Sequence, residues 1–118
     1  MSLAPKDRSR AYAAITGGLV ALVFGVSPQD LAAPTRHHAP VSFARQVAMY
    51  LTHVVFGVSF TRVGAAFGRD RTTAAHACRV IEEAREDYYI DEVVGRVDAA
   101  LRALARPTGR RARARRAP

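Results

Sequence analysis

Ser59-Phe-Thr-Arg-Val-Gly-Ala-Ala-Phe-Gly-Arg-Asp-Arg-Thr-Thr-Ala-Ala-His-Ala-Cys-Arg-Val-Ile81 is the stretch whose reading decides the fold. Ser59 is placed to cap a short helix over Phe60–Phe67, in which Phe60, Val63, Ala66 and Phe67 share one face. Gly68 breaks the chain. Asp70 then caps a second helix running to about Arg85, with Thr73 three residues on and an inward stripe of Ala74, Ala77, Cys78 and Ile81. These small side chains permit close approach by a neighbouring helix. Short helix, glycine turn and second helix make the pattern of a helix-turn-helix, whose second helix presents its N-terminal residues to a major groove. Arg69 and Arg71 suit phosphates or guanine edges, and Thr72 and Thr73 suit phosphates or thymine methyls. Asp70 can accept from cytosine N4 or simply cap the helix. The same spacing also fits an ordinary helical hairpin with a polar rim.

Charge distribution favours the nucleic-acid reading. The chain of 118 residues carries a net charge of +8, from 18 basic and 10 acidic residues. Its last 13 residues hold six arginines and no acid. Arg36 to Arg79 carries six arginines against Asp70 alone, whereas Glu82 to Asp98 carries seven of the ten acids. One stretch is built to meet a polyanion and the next to stay in water. Double-stranded DNA is the expected partner, with Arg36, His37 and His38, between Pro34 and Pro40, as a basic arm for an adjacent minor groove. A solvated loop is the plain alternative for that segment.

Working outward, the length suits one domain, and the periodicity is helical throughout with no β alternation and no internal repeat. The reading is all-α. A helix is expected from about Arg10 to Phe24 with Ile15, Leu19, Leu22 and Val23 inward, ended by Gly25. Ser27, Pro28 and Asp30 open a short turn or helix. A long helix is expected over Ser42–Val55 with Val47, Tyr50, Leu51, Val54 and Val55 inward, closed by Gly57. Tyr88-Tyr89 mark a bend before a last helix over Asp91–Ala105, with Val93, Val94, Val97, Leu101 and Leu104 inward. Residues 1–9 form a flexible N-terminus, 10–105 the folded domain and 106–118 a basic disordered tail. The apolar run Ala11–Val26 is only 16 residues, short of the roughly 20 that cross a bilayer. It reads as a buried helix, with no export signal, and the expected location is the cytoplasm, on the nucleoid. No long heptad and no large spare apolar face remain, so a monomer is expected.

Catalysis is not expected. No lysine-bearing phosphate loop, apolar carboxylate pair or nucleophile elbow is present, and Lys6 is the only lysine. The single Cys78 lies in a small-residue stripe, as a buried inert thiol does. His76 and Cys78 are two apart on a helix and diverge, so they do not chelate. No metal and no cofactor are expected. The six tail arginines would add salt-dependent, sequence-independent affinity for DNA; RNA, acidic proteins, a membrane surface or a nonfunctional GC-rich extension are the alternatives for that segment.

Arg45-Gln-Val-Ala-Met-Tyr-Leu51, followed by Val63-Gly-Ala-Ala-Phe-Gly-Arg-Asp-Arg-Thr-Thr-Ala-Ala-His-Ala-Cys-Arg-Val-Ile81, resembles the C-terminal DNA-binding domain (domain IV) of the bacterial replication initiator DnaA. That family reads RQIAMYL and then IGxAFGGRDHTTVxHAxRKI. Phe24-Gly-Val-Ser-Pro-Gln-Asp-Leu31 is similar to the segment before its basic loop, and the likeness runs over about residues 12–104. The resemblance implies a Trp-repressor-like helical domain that binds a DnaA-box type of site. By position it implies Arg36 for the minor groove and Asp70, Arg71, Thr72 and Thr73 for the major groove. It also implies Arg45, Gln46, Ser59, Arg69 and His76 for phosphates. Arg71 stands where the family has histidine, one glycine of the pair before Arg69 is missing, and His53 stands where lysine is frequent.

No Walker A segment or ATPase module lies in these residues, so the expected role is to occupy DNA and position another protein rather than to melt origins. Stand-alone domains of this kind occur in alphaproteobacterial gene-transfer-agent activators. That likeness implies a transcription regulator, more an activator than a repressor, working with RNA polymerase, a sigma-like factor or a co-activator. Replication control by competition for DnaA boxes is the second reading, and a nucleoid-type binder the third.

Overall fold

A computed structural model describes residues 3–33 and 39–106. Among the described residues six helices follow one another: α1 (Pro5–Phe24), α2 (Pro28–Ala32), α3 (Ala39–Phe56), α4 (Phe60–Ala66), α5 (Arg71–Ala84) and α6 (Tyr88–Ala105). No strand occurs among the described residues. The expected all-α class is the class found.

Helix boundaries obey local chemistry. Ser27, Ser59 and Asp70 each accept, through the side chain, a backbone N–H three residues on, capping α2, α4 and α5. Gly25 and Gly57 end α1 and α3 in the left-handed region, at φ 70° and 68°. Three boundaries differ from the sequence reading. α1 begins at Pro5, because a proline at the first helical position needs no donor and Asp7 suits the first turn. α3 begins at Ala39, with Pro40 in its first turn, where a proline is equally harmless. α6 begins at Tyr88, because the Asp87 carboxylate accepts from the N–H groups of Tyr89 and Ile90. Tyr88 and Tyr89 are therefore helical and not a bend.

α3 is the central helix. It packs against α1 on one side and α5 on the other, with α2, α4 and α6 completing its cover. Val47, Ala48, Met49 and Leu51 are buried at its middle. Arg85 locks the far end: its Nε donates to Asp91 at 2.6 Å and its Nη1 to the Tyr50 hydroxyl of α3 at 3.1 Å.

The buried face of α1 is not the expected one. Ser9, Ala13, Thr16, Gly17, Val20 and Ala21 are buried, whereas Ile15 and Val23 are exposed and Leu22 is 78% exposed. Close packing decided this. A β-carbon on Gly17 would already sit 3.8 Å from the Phe67 ring, leaving no room for a larger residue beneath α1. The exposed Ile15, Leu22 and Val23 remove the sequence-based ground for a monomer. On α6, Val94, Val97 and Leu101 are buried as expected, but Val93 and Leu104 are exposed. No described helix is long and apolar enough to cross a membrane.

The two faces of α1 can be told apart by stability. Leu22→Gln should leave unfolding free energy within about 0.5 kcal/mol of the parent, as for ordinary surface sites. Val20→Ala, at a fully buried position, should cost about 2 kcal/mol. Urea melts of both variants check this, and the reverse ranking would contradict the assigned face.

Candidate nucleic-acid interface

The α4–α5 unit is held by backbone approach. Arg69 N–H donates to the Gly64 carbonyl at 2.7 Å, and a β-carbon on Gly64 would lie 2.6 Å from the Asp70 carbonyl oxygen. Residue 64 has to be glycine for α5 to begin where it does. Gly68, at φ 70°, turns the chain between the helices. This single glycine does the turning in a chain with one glycine fewer than the family pattern.

Asp70 then opens α5. Its carboxylate accepts the Thr73 N–H at 2.8 Å, and bonds from the Thr73 backbone and hydroxyl hold it below the usual carboxylate range. The cap is therefore ionised at neutral pH. Arg71 and Thr72 occupy the first turn and are exposed; Thr73 is half-buried, turned toward the cap. His76, one turn further on the exposed side, lies 3.4 Å through Nδ1 from Nη2 of Arg79. Inward, Ala74, Ala77, Cys78 and Ile81 anchor the helix as the periodicity required.

The other sequence-predicted residues divide. Arg69 is half-buried and its Nη1 donates to the Phe67 carbonyl at 2.9 Å, so its guanidinium is fixed at the turn. Ser59 is exposed and caps α4 through its hydroxyl. Gln46, on α3, is half-buried. Arg45 is only 7% exposed; Nε donates to the Leu31 carbonyl at 2.8 Å and Nη2 to the Asp30 carbonyl at 2.9 Å. Burial lowers its pKa first, and repulsion from Arg69 lowers it further, with Asp30 opposing. The structure thus brings Arg45 and Arg69 close, and gives Arg45 the task of tying α2 to α3. Arg36, His37 and His38 lie outside the described residues.

Two features escaped the sequence. His53 Nδ1 lies 2.7 Å from the Val58 carbonyl, and its ring stacks on Phe60 at 4.3 Å. An imidazole facing a carbonyl must donate, so Nδ1 carries the proton and the ring staples the α3–α4 turn. Arg62 was the other. Its only signal was its place three residues after the Ser59 cap, and its side chain is exposed beside that cap.

Among the described residues no cluster of histidine, cysteine and carboxylate side chains is arranged to hold a metal. Burial, with Glu82 nearby, pushes the Cys78 thiol up to about 11. It is not a nucleophile at neutral pH.

A tight glycine-dependent turn, a capped second helix and exposed donors on that helix's first turn define a helix-turn-helix DNA-binding domain. Comparison with known proteins agrees. The family described as the bacterial dnaA protein helix-turn-helix matches residues 18–81, more than half of the chain, and the protein belongs to that family. Similar curated proteins include chromosomal replication initiator protein DnaA 2 of Chlamydia trachomatis serovar D, 45% identical over 64 residues. The match spans 54% of this chain and 14% of that protein. The initiator DnaA of Bifidobacterium animalis subsp. lactis is 40% identical over 80 residues, 63% of this chain and 14% of the relative. The chain thus corresponds to about a seventh of the length of these relatives. It carries a sequence-specific DNA-binding domain of the DnaA type.

Gly64→Ala should cost roughly 1–3 kcal/mol of stability, as forced overpacking does, because backbone rather than a movable side chain blocks the new methyl. Duplex binding should fall with it. Thermal melts and electrophoretic shifts check both, and an unperturbed variant would refute the close approach. In the native protein Cys78 should react with Ellman's reagent far more slowly than in urea, because a thiol near 11 is less than about 0.1% ionised at pH 8.

Proposed function

We propose that this protein is a transcription regulator that binds a specific duplex site, acting as an activator with a partner protein such as RNA polymerase, a sigma-like factor or a co-activator. The first turn of α5 enters the major groove: Arg71 and Thr72 meet base edges, Asp70 holds the helix start, and Thr73 and His76 flank them. Arg69, Ser59 and Gln46 engage phosphates, and Arg36 reaches the adjacent minor groove. The buried Arg45 supports them by holding α2 on α3, in place of the phosphate contact implied by position. The role assigned is binding, without catalysis.

The observation that carries the reading is the exposure of Arg71 and Thr72 on a helix start fixed by Gly64 and the ionised Asp70 cap. Direct readout needs such a rigid mount, since a bidentate arginine–guanine contact tolerates little displacement. Arg71 also supports regulation over competition at the initiators' own boxes. An arginine where the family pattern has histidine changes both length and donor geometry, so the preferred site shifts from the family's. The arginine-rich segment 106–118 adds affinity that is independent of sequence. Replication control remains the second reading, favoured by the relatives themselves, which are named as replication initiators.

Arg71→Ala or Thr72→Ala should remove about 1–3 kcal/mol of discrimination at one base pair while leaving nonspecific binding in place. Competition shifts with selected and scrambled duplexes measure this; equal losses on every sequence would refute specific readout by these side chains. Chromatin immunoprecipitation should place occupancy at promoters. Peaks confined to the replication origin would favour the second reading, and occupancy that follows the tail alone would favour a nucleoid-type binder.

A further inference from the structure

We propose that the cleft between the start of α1 and the α3–α4 turn is a second phosphate grip, which carries the DNA interface beyond the reading helix onto the duplex backbone. The inference rests on the DNA-binding reading above and adds a contact region to it. The cleft has a volume of about 260 Å³ and is lined by Arg8 and Ser9 of α1, by Phe56–Ser59 and by Arg62 of α4. Two arginines from elements far apart in sequence face one concave site.

Their surroundings point to an anion. Arg8 is exposed and held in place by donation from Nη1 to the Leu3 carbonyl at 2.7 Å. Arg62 is exposed and its backbone N–H is tied to the Ser59 hydroxyl at 3.2 Å. No carboxylate among the described residues pairs with either, and Asp7, next to Arg8 in sequence, does not line the cleft. The ion pairs lie elsewhere, at Arg85–Asp91, Arg96–Glu92 and Arg102–Asp98. Arg85, Arg96 and Arg102 are thus paired within the fold, whereas the arginines of this cleft are left for an outside partner. Two like charges lining one cleft repel each other, and a phosphodiester between them removes that repulsion while taking several hydrogen bonds.

Ser59 makes the cleft continuous with the proposed interface. Its hydroxyl belongs both to the cleft wall and to the α4 cap that adjoins the reading unit. A duplex seated on α5 therefore has its flanking backbone available to Arg8 and Arg62. Contacts of this kind position the protein and carry no sequence information. They act on affinity and salt dependence, and not on the choice of site.

The test uses the full chain with two 25-base-pair duplexes, one enriched by selection from a random pool and one scrambled, titrated across potassium chloride concentrations. Arg8→Ala with Arg62→Ala should weaken binding to both duplexes by the same factor. It should also reduce the slope of log affinity against log salt by about 1 per arginine. The lysine pair, Arg8→Lys with Arg62→Lys, should keep the parent slope, and the ratio between the duplexes should not change. Ethylation interference should locate flanking phosphates that matter to the parent and not to the alanine pair. An unchanged slope in a variant with parental circular dichroism and melting, or a loss confined to the enriched duplex, would overturn the grip while leaving the reading helix intact. Absence of salt-dependent binding by the parent itself would overturn the DNA reading and this inference with it.

Discussion

Gly64 has no space for a side chain, and much of the interface follows from that. Its α-carbon faces the backbone of Arg69 and Asp70 so closely that a β-carbon would come within 2.6–2.8 Å of three of their atoms. Only this approach lets the Arg69 N–H reach the Gly64 carbonyl and sets α5 at its angle to α4. Val63 and Phe67, on either side, are buried, so the turn is clamped by core packing as well as by hydrogen bonding. The packing continues further inward. Phe67 packs beneath α1 at Gly17, where a β-carbon would come to 3.8 Å from its ring. A single missing methyl thus fixes the joint between α4 and α5.

What could be read from the sequence divides along the range of the interactions involved. Capping by Ser27, Ser59 and Asp70 spans three residues and was legible. So was the inward stripe of α5, where small residues repeat at helical spacing. On α1 the same rule failed, because hydrophobicity points to Ile15 and Leu22 while steric fit selects Ala13, Gly17 and Ala21. Periodicity measures apolarity and has no knowledge of how near the neighbouring helix comes. The start of α6 failed for another reason: Asp87 and Asp91 are both plausible caps, and the choice falls to Asp87 partly because Asp91 is taken by Arg85. In the candidate interface, the exposure of Arg71 and Thr72 was legible as the polar start of an amphipathic helix. The burial of Arg45 was not, since its acceptors lie 14 and 15 residues away in a different element.

Electrostatics divides the molecule in a way that composition only hinted at. The acidic segment from Glu82 onward is consumed in part by its own arginines, with three ion pairs between Arg85 and Arg102. Such surface pairs add little stability. They cancel positive charge at one end of the domain, while the cations around α4 and the start of α5 have no ion-pair partner among the described residues. A polyanion approaching the protein meets a field with a direction, which orients it before any contact forms.

Arg45 has a consequence of a different sort. By gripping the carbonyls of Asp30 and Leu31 it fixes the point at which the chain leaves α2, and α3 opens at Ala39. The proposed reading helix α5 packs along the same α3, so α2 and the start of α5 are carried on one frame. On the proposed reading this makes the domain a caliper. Its jaws are the first turn of α5 and Arg36, and its frame is α3. One base pair inserted between the two halves of a target moves one half along the duplex by about 3.4 Å and rotates it around the axis. With α2 pinned to that frame by Arg45, the proposed reading makes the spacing within a site part of the code alongside the bases.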